Sequence, residues 1–324
     1  MKKPFLVAEI AQGYEGSSKL VNLYVKAAAT AKADAIKFQI FYADELALPD
    51  YKYYRLFKSL ELPFTVWQKA VAQSHRHQME FYSDVFGVAS LSKLNQIGVD
   101  GFKVHSTDIN NFVLLKNIAK TKKKIFLSTG GCQLNEISRA LEIFADCKVT
   151  LMYGFQAEPT ALVDNKLKRI RTLIDSFNKD IGFQDHTAGG AALALSLPFV
   201  AMGMGVKVVE KHLTLSRAAE IEDSISALTP EEFMPWAKSL KEAYRALGEE
   251  KWELSQSEMG YRTNVRRAVC STRKLKKGTR LRAEDIILKR TDNAKALFDL
   301  SQVIGRKLKK AISKNALILL EELL

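Results

Sequence analysis

The chain has little cysteine and no long hydrophobic segment. Its 324 residues include only three cysteines, Cys132, Cys147 and Cys270, with no pairing pattern. This excludes a disulfide framework and indicates a reducing compartment, the cytoplasm. No apolar run approaches the ~20 residues that a membrane-spanning helix needs. Residues 1–4 lead directly into a strand-like segment, so we expect neither a membrane span nor a secretory signal.

The bulk composition is that of an ordinary globular protein. Apolar residues make up 47% of the chain and charged residues 26%, which excludes global disorder. The length suggests one large domain or two domains. A chain of this size buries a sizeable core without disulfides or structural metals.

The formal net charge of +13 is concentrated in the C-terminal segment. Residues 261–324 carry 17 basic and 6 acidic side chains, a net charge of +11, whereas the first 260 residues carry only +2. Such a sharp change predicts a domain boundary after Gly260, with domains at 1–260 and 261–324. Three interpretations of the basic segment stay open: a solvated surface, a nucleic-acid surface, or a lid over an anionic substrate.

Short apolar runs alternate with amphipathic stretches along the first two thirds of the chain. Parallel strands buried on both faces have this pattern. Eight such units in about 250 residues predict a (β/α)8 barrel, and an open doubly wound sheet is the alternative. The predicted strands are 5–11, 35–40, 79–85, 101–106, 124–130, 149–155, 180–186 and 206–213.

Polar residues stand at the C-terminal end of every predicted strand, where barrel enzymes carry their active sites. Polar side chains on apolar strands are costly unless they are paired or used. Any single one has a structural explanation, but eight strands in a row favour a site. In strand order these residues are Glu9, Lys37, Gln39, Asp84, Lys103, Ser106, Asp108, Ser128, Thr129, Gln156, Asp185, His186, Thr187, Glu210, Lys211 and His212.

Two histidines and two lysines define the expected chemistry. His186 and His212 end successive strands beside carboxylates, which suits a divalent metal. Each histidine alone is better explained as a structural residue, and for the pair the metal and the structural interpretations are equally good. Lys37 and Lys103 lie inside strand sequences, where a buried ammonium needs an anionic partner. That partner is either a phosphate or carboxylate ligand, or a carboxylate such as Glu9 or Asp108. A Schiff-base lysine is a third option.

The order and spacing of several motifs resemble those of the sialic acid synthases, that is the N-acetylneuraminate, legionaminic and pseudaminic acid synthases. The resemblance runs from about Phe5 to the C-terminus. The most specific motifs follow the seventh and eighth strands. The matching segments are Ala8-Glu9-Ile10, Ala33–Gln39, Leu60-Glu61-Leu62, Gly101–Asp108, Leu127–Gly130, Asp185-His186-Thr187 and Val209–Thr214.

The resemblance implies a TIM barrel followed by a small antifreeze-like (SAF) domain that caps the partner's barrel in a homodimer. It also implies a reaction, the condensation of phosphoenolpyruvate with an N-acylated amino-sugar aldehyde to a nonulosonic 2-keto acid and phosphate. The cofactor would be a divalent metal, Mn²⁺ or Mg²⁺. No membrane partner is expected, and the basic tail would then help to enclose anionic substrates and not nucleic acid.

The resemblance also assigns roles to individual positions. His186 and His212 would hold the metal, and Glu9 and Asp223 would be the carboxylates that act as base or fix a water. The remaining positions would bind substrate: Lys37, Lys103, Ser106 and Ser128 the phosphoenolpyruvate, and Asp108, Gln156 and Arg290 positions near the acceptor or elsewhere in the site.

The chain departs from the family pattern around the acceptor and in part of the phosphoenolpyruvate site. Asp84 replaces a threonine that commonly contacts phosphoenolpyruvate, and it would repel that anion unless paired or protonated. We interpret the chain as a divergent branch with the chemistry retained. Two alternatives are another phosphoenolpyruvate or keto-acid aldolase, and a non-catalytic barrel that binds an anion or nucleic acid. Further departures are Gly13-Tyr14, Gln156 to Pro159, Gln184, residues 221–224 and residues 291–293.

Overall fold

The computed structural model describes residues 3–324, which form two compact units divided between Gly248 and Glu249. The boundary expected after Gly260 falls inside a helix, Gln256–Val265, of the second unit. That position shifts the charge division, because the acidic residues of 249–260 join the basic segment. The second unit then carries a net charge of +8 and the first a net charge of +5.

Eight parallel strands close into a barrel in chain order, which confirms the predicted (β/α)8 fold and excludes the open sheet. Strands β1 and β8 pair directly, with Glu9 opposite His212. The strands are β1 (Phe5–Ala11), β2 (Ala35–Gln39), β3 (Glu80–Asp84), β4 (Gly101–Val104), β5 (Lys124–Ser128), β6 (Val149–Tyr153), β7 (Asp180–Asp185) and β8 (Val208–His212).

Within residues 3–324, ten α-helices belong to the barrel unit and one, at 256–265, belongs to the second unit. The helices at 230–246 and 256–265 each begin with a capping box, Thr229 with Glu232 and Ser255 with Glu258, a signal readable from sequence. The helices are α1 (Ser18–Thr30), α2 (Ala43–Leu46), α3 (Tyr54–Leu60), α4 (Phe64–Arg76), α5 (Val88–Gln96), α6 (Phe112–Lys120), α7 (Leu134–Ile143), α8 (Arg169–Phe177), α9 (Ala192–Gly203), α10 (Pro230–Ala246) and α11 (Gln256–Val265).

The barrel interior changes from apolar to charged along its axis. Because side chains alternate between the two faces of a strand, every second residue points inward. The layer nearer the strand N-termini forms an apolar cluster, in which the Tyr82 and Phe126 rings stack at 4.5 Å. Two residues further along the strands, the inward positions are polar or charged. The apolar cluster contains Val7, Ala35, Tyr82, Phe126, Met152 and Val208.

Gly154 allows the ends of β6 and β7 to approach each other closely. Gly154 follows β6 with a φ of +142°, and a Cβ there would lie 2.1 Å from the Gln184 carbonyl oxygen. Only glycine adopts this backbone conformation without strain. The Gln184 side chain fills the space and donates from Nε2 to the Gly154 carbonyl at 3.0 Å.

The second unit contains a two-stranded antiparallel sheet, β9 (Arg267–Ser271) and β10 (Ile286–Arg290), over its own apolar core. Strand β9 begins directly after α11, which continues to Val265. Near the C-terminus, Leu317 and Leu319 form isolated bridges to Cys270 and Ala296. The core residues are Val269, Leu275, Leu281, Ile286, Val303, Leu308, Ile312, Ile318 and Leu323.

The three cysteines are free thiols, with Cys270 buried and the other two half-buried. Within residues 3–324, we find no helix with both the length and the apolar character that a bilayer crossing requires.

Candidate active site

A small cavity of about 140 Å³ opens at the C-terminal ends of the barrel strands, where the fold predicts a site. Strands from all around the barrel contribute to it, and almost every lining side chain is charged or titratable. The lining residues are Glu9, Lys37, Gln39, Asp84, Lys103, His105, Gln156, Glu158, His186, Glu210, His212 and Asp223.

Both interior lysines are paired with carboxylates of the same layer. The Lys37 ammonium contacts Glu9 and Asp84 and lies 3.9 Å from Glu210 Oε2. The Lys103 ammonium donates to Glu210 Oε1. All five side chains are nearly inaccessible to water. Of the alternatives left open by the sequence, ion pairing with protein carboxylates therefore describes the ligand-free site, and for Lys37 one of those carboxylates is Glu9.

Burial and neighbouring charges move the pKa values of Glu9 and Glu210 in opposite directions. Desolvation raises the pKa of Glu9 to about 8, against the opposing charge of Lys37. Although burial opposes ionisation of Glu210 too, Lys103 and Lys37 hold its pKa below the usual value. The pKa of Lys37 is raised because Asp84, Glu210 and Glu9 outweigh its desolvation. These shifts favour a neutral Glu9 carboxyl beside a charged Lys37 near neutral pH.

The two histidines meet at the mouth of the barrel, and a third side chain joins them. The His186 and His212 ring centroids are 5.0 Å apart. Glu158, from the loop after β6, places Oε1 3.8 Å from His186 Nε2 and 4.0 Å from His212 Nε2. One donor atom from each of the three residues lies within 4.8 Å of the other two.

This donor set fits a divalent cation. Desolvation lowers the pKa of His186 to about 3 and that of His212 well below its usual value, so both rings are neutral and can offer a lone pair. Ligand atoms about 2.1 Å from one ion lie roughly 3 to 4 Å from one another, close to the observed separations. Imidazole nitrogen and carboxylate oxygen together suit transition-metal dications.

The two carboxylates that stand near the histidines in the sequence, Asp185 and Glu210, face opposite sides of the barrel wall. Glu210 lies two residues from His212 on β8 and therefore faces the same interior space. Asp185 faces outward with Lys211, whose ammonium lies 3.0 Å from Asp185 Oδ2 and donates to the Thr187 carbonyl at 2.8 Å. The Asp185–Lys211 pair is fully buried between barrel and helices, and it fixes the backbone that carries both histidines.

Asp223 lies in the loop after β8, at the same mouth. Its Oδ2 is 3.9 Å from His212 Nδ1, and burial raises its pKa to about 6. Its backbone is left-handed, with a φ of 62°, a conformation that aspartate tolerates better than most residues. The structure therefore brings together seven predicted site residues: Glu9, Lys37, Lys103, Gln156, His186, His212 and Asp223.

Four predicted site residues do not line the cavity. Ser106 donates to the Gln156 side chain at 3.2 Å. Ser128 is buried, and its hydroxyl accepts from Gln184 Nε2 at 2.9 Å. Asp108 accepts from Asn111 Nδ2 at 2.9 Å, at the start of α6. Arg290 belongs to the other compact unit, at the end of β10.

Three lining carboxyls carried no predicted role: Asp84, Glu158 and Glu210. The sequence could have identified Asp84 and Glu210, because each lies two residues from another inward-facing residue of its strand. The alternation of side chains along strands could not predict Glu158, because it stands in a loop and only the folded chain brings it to the histidines.

Comparison with known proteins gives two family matches and several full-length relatives. The NeuB family model matches residues 24–252 and the SAF domain model matches residues 266–324. The chain is 31% identical over 323 residues to the uncharacterized protein MJ1065 of Methanocaldococcus jannaschii, covering 99% of this chain and 94% of that one. It is 30% identical over 341 residues to the N,N'-diacetyllegionaminic acid synthase of Legionella pneumophila, covering 98% of this chain and 94% of that one.

A solved structure shows the same similarity. The N-acetylneuraminic acid synthetase of Leptospira borgpetersenii, in complex with citrate, superposes with a TM-score of 0.76 and is 28% identical. The match covers 82% of this chain and 93% of that one.

Proposed function

Because the chain belongs to the NeuB family and ends in a SAF domain, we propose that it joins phosphoenolpyruvate to an N-acylated amino-sugar aldehyde. The products would be a nonulosonic 2-keto acid and phosphate. One observation of the site carries this proposal: two buried lysines and two neutral histidines line the same 140 Å³ cavity at the strand ends. Such a site offers cationic groups for an anionic donor beside a place for a Lewis acid.

The lysines would bind the phosphate and carboxylate groups of phosphoenolpyruvate. Both ammonium groups are rigidly placed by the barrel strands, so little side-chain entropy is lost on binding. In the ligand-free site their partners are carboxylates, chiefly Asp84 for Lys37 and Glu210 for Lys103. The incoming anion must compete with these carboxylates, and this competition weakens binding relative to a site with free lysines.

The reaction consumes one water. C3 of phosphoenolpyruvate forms a bond to the aldehyde carbon, and the aldehyde oxygen takes up a proton to become a hydroxyl. Water adds at C2, the C2–O bond to phosphate breaks, and the water oxygen becomes the keto oxygen. One water proton ends on the new hydroxyl and the other on the phosphate.

Two carboxyls are placed to move these protons. The pKa of Glu9 is about 8 and that of Asp223 about 6, so both exchange a proton near neutral pH, as a general acid or base requires. A divalent metal such as Mn²⁺ or Mg²⁺, held by His186 and His212, would polarise the aldehyde carbonyl. The His212 ring has Nε2 4.0 Å from Glu158 Oε1 and Nδ1 3.9 Å from Asp223 Oδ2. It would therefore lie between the metal and Asp223.

We further propose a homodimer in which the SAF domain of one chain caps the barrel of the other. The first residues of the second unit support this, because they expose aromatic side chains: Trp252 is 99% and Tyr261 70% exposed, and α11 buries no side chain. Aromatic side chains are enriched at protein interfaces. Arg290 would then contact the acceptor sugar in the partner's site.

Phosphate release from phosphoenolpyruvate tests the activity. We expect release only with both a divalent metal and an N-acylamino aldose, and mass spectrometry of the product separates a nonulosonic acid from the product of another aldolase. No release with any acceptor of a broad panel would overturn the proposal.

His186→Ala should lose Mn²⁺ binding and turnover together. His75→Ala is the matched control, since His75 is exposed on α4 and pairs with Asp100. If His186→Ala kept full activity after a chelator had removed all divalent metal, this result would contradict the metal assignment.

A further inference from the structure

Glu158 stands where two neutral histidines converge, and its carboxyl has no cationic side chain beside it. In residues 3–324, no lysine or arginine nitrogen lies within 4.0 Å of the Glu158 carboxylate, and the only basic side chains that come this close are the neutral His186 and His212. The side chain is only 30% exposed. Burial disfavours the charged form of a carboxyl in such a place, and a bound cation would offset that cost.

Ser226 holds the Glu158 carboxyl in one orientation. Its buried hydroxyl lies within hydrogen-bond distance of Glu158 Oε2 and, at 2.8 Å, of the His186 carbonyl oxygen. This ties the loop after β6 to the end of β7 and to the loop after β8. With Oε2 engaged by Ser226, Oε1 is the oxygen that faces both imidazoles.

The cavity lining is also rich in oxygen donors for a cation. It includes five carboxyls, Glu9, Asp84, Glu158, Glu210 and Asp223, against two lysines. Each lysine is already paired with a carboxylate of the strand layer. Neither is within ion-pair distance of Glu158, so neither lysine competes with a cation for the Glu158 carboxyl.

We propose that Glu158 is the third protein ligand of the cation that His186 and His212 would hold, making a two-histidine, one-carboxylate site. Three protein donors on one side leave open positions for water and substrate, as in catalytic metal sites of this composition. The hard carboxylate oxygen favours Mn²⁺ and similar ions over those that prefer an all-nitrogen set. Ser226 is a positioning residue, since it acts only through Glu158.

Mn²⁺ binding to the metal-free protein tests the assignment without substrate. We expect Glu158→Gln, which keeps the size of the side chain, to weaken Mn²⁺ binding in calorimetry by at least about tenfold, and Ser226→Ala to weaken it less. Glu222→Gln is the matched control: Glu222 is an exposed neighbour of Asp223, so it removes a nearby negative charge without removing a ligand. Equal affinity of wild type and Glu158→Gln, or an equal loss in Glu222→Gln, would overturn the proposal.

The wild-type protein supplies a second measurement in case Glu158→Gln does not fold. Broadening of the Mn²⁺ EPR signal by ¹⁷O-water counts bound waters. Of six positions around the ion, roughly three should hold water if Glu158 is a ligand. Roughly four would overturn the assignment.

This inference deepens the proposed function, since it concerns the same site, yet the two fail separately. Intact Mn²⁺ binding without turnover would overturn the synthase alone. Unchanged Mn²⁺ binding in Glu158→Gln, with turnover retained, would overturn only the third ligand.

Discussion

At the scale of single residues, the site is governed by buried carboxyls that compete for two lysines. Lys37 contacts Glu9 and Asp84 at once, whereas Lys103 has Glu210. Burial of an ion pair repays its desolvation only when each charge is compensated. The raised pKa of Glu9 reduces the negative charge beside Lys37 near neutral pH. An anionic substrate must compete with Asp84 and Glu210 for the two lysines.

Asp84→Asn should strengthen binding of phosphoenolpyruvate. Removal of this negative charge leaves Lys37 with a weaker competitor, and we expect a fall in the dissociation constant of about tenfold or more. Calorimetry with phosphoenolpyruvate measures it. Asp180→Asn is the control, because Asp180 pairs with Lys207 at an exposed position on β7. Weaker binding by Asp84→Asn would show that Asp84 helps to hold the ligand and does not compete with it.

Glu9 should make the stability of the protein depend on pH. Its pKa is about 8 in the folded state, against 4.5 for an ordinary glutamate. The folded state therefore binds the proton more tightly, so this contribution is complete below pH 4.5 and is lost as pH rises to about 8. Unfolding midpoints of wild type and Glu9→Gln, measured in urea from pH 5 to pH 8.5, should diverge as pH rises, with wild type falling relative to the variant. Parallel curves would mean that Glu9 is ionised in the fold throughout this range.

At the scale of elements, the alternation of side chains along a strand separates the charges that line the cavity from the charges that face outward. On β8, Glu210 and His212 face the cavity, and Lys211 between them faces outward to Asp185. One strand thus supplies both a proposed metal ligand and one partner of a buried ion pair. A one-residue slip in register would exchange these positions, so the barrel register decides which side chains line the cavity.

Gly154→Ala should destabilise the barrel at the junction of β6 and β7. The added Cβ would lie 2.1 Å from the Gln184 carbonyl, on a backbone with a φ of +142°. We expect a loss of at least about 2 kcal/mol in the free energy of unfolding, measured by urea denaturation. For Gly190→Ala, where a Cβ would meet no atom within 4 Å, we expect little change. Equal stability of both variants would contradict the close approach.

At the scale of the whole molecule, the larger share of the net positive charge lies in the compact unit that does not hold the candidate active site. The second unit carries a net charge of +8, and Arg290 lies at the end of its strand β10. The proposed dimer would bring this positive charge to the anionic substrates of the partner's barrel.

Complementation tests whether Arg290 acts on the partner. Arg290→Ala and His186→Ala should each be inactive alone. After mixing and exchange of subunits, about a quarter of the wild-type rate should return, because random pairing makes half of the dimers mixed and each has one intact site. Absence of recovery, with mixed dimers verified by native mass spectrometry, would place Arg290 in its own chain's site or outside catalysis.

The sequence by itself determined the barrel and most of the polar positions in it. Apolar strands alternating with helices sufficed for the closed barrel, because parallel strands must be covered on both faces. The rule that sites lie at strand C-termini then selected Glu9, Lys37, Lys103, His186 and His212. Local pattern and fold class together carry this much information.

Only the tertiary structure decided which charges meet. Asp84 and Lys37 are 47 residues apart, and Lys103 and Glu210 are 107 apart, so no local period predicts either pair. Glu158 reaches the histidines from a loop, and Ser106 and Ser128 turn their hydroxyls to glutamine side chains of the same fold. Ionisation was likewise beyond the sequence, because the pKa of Glu9 depends on burial and on neighbours that only the closed barrel assembles.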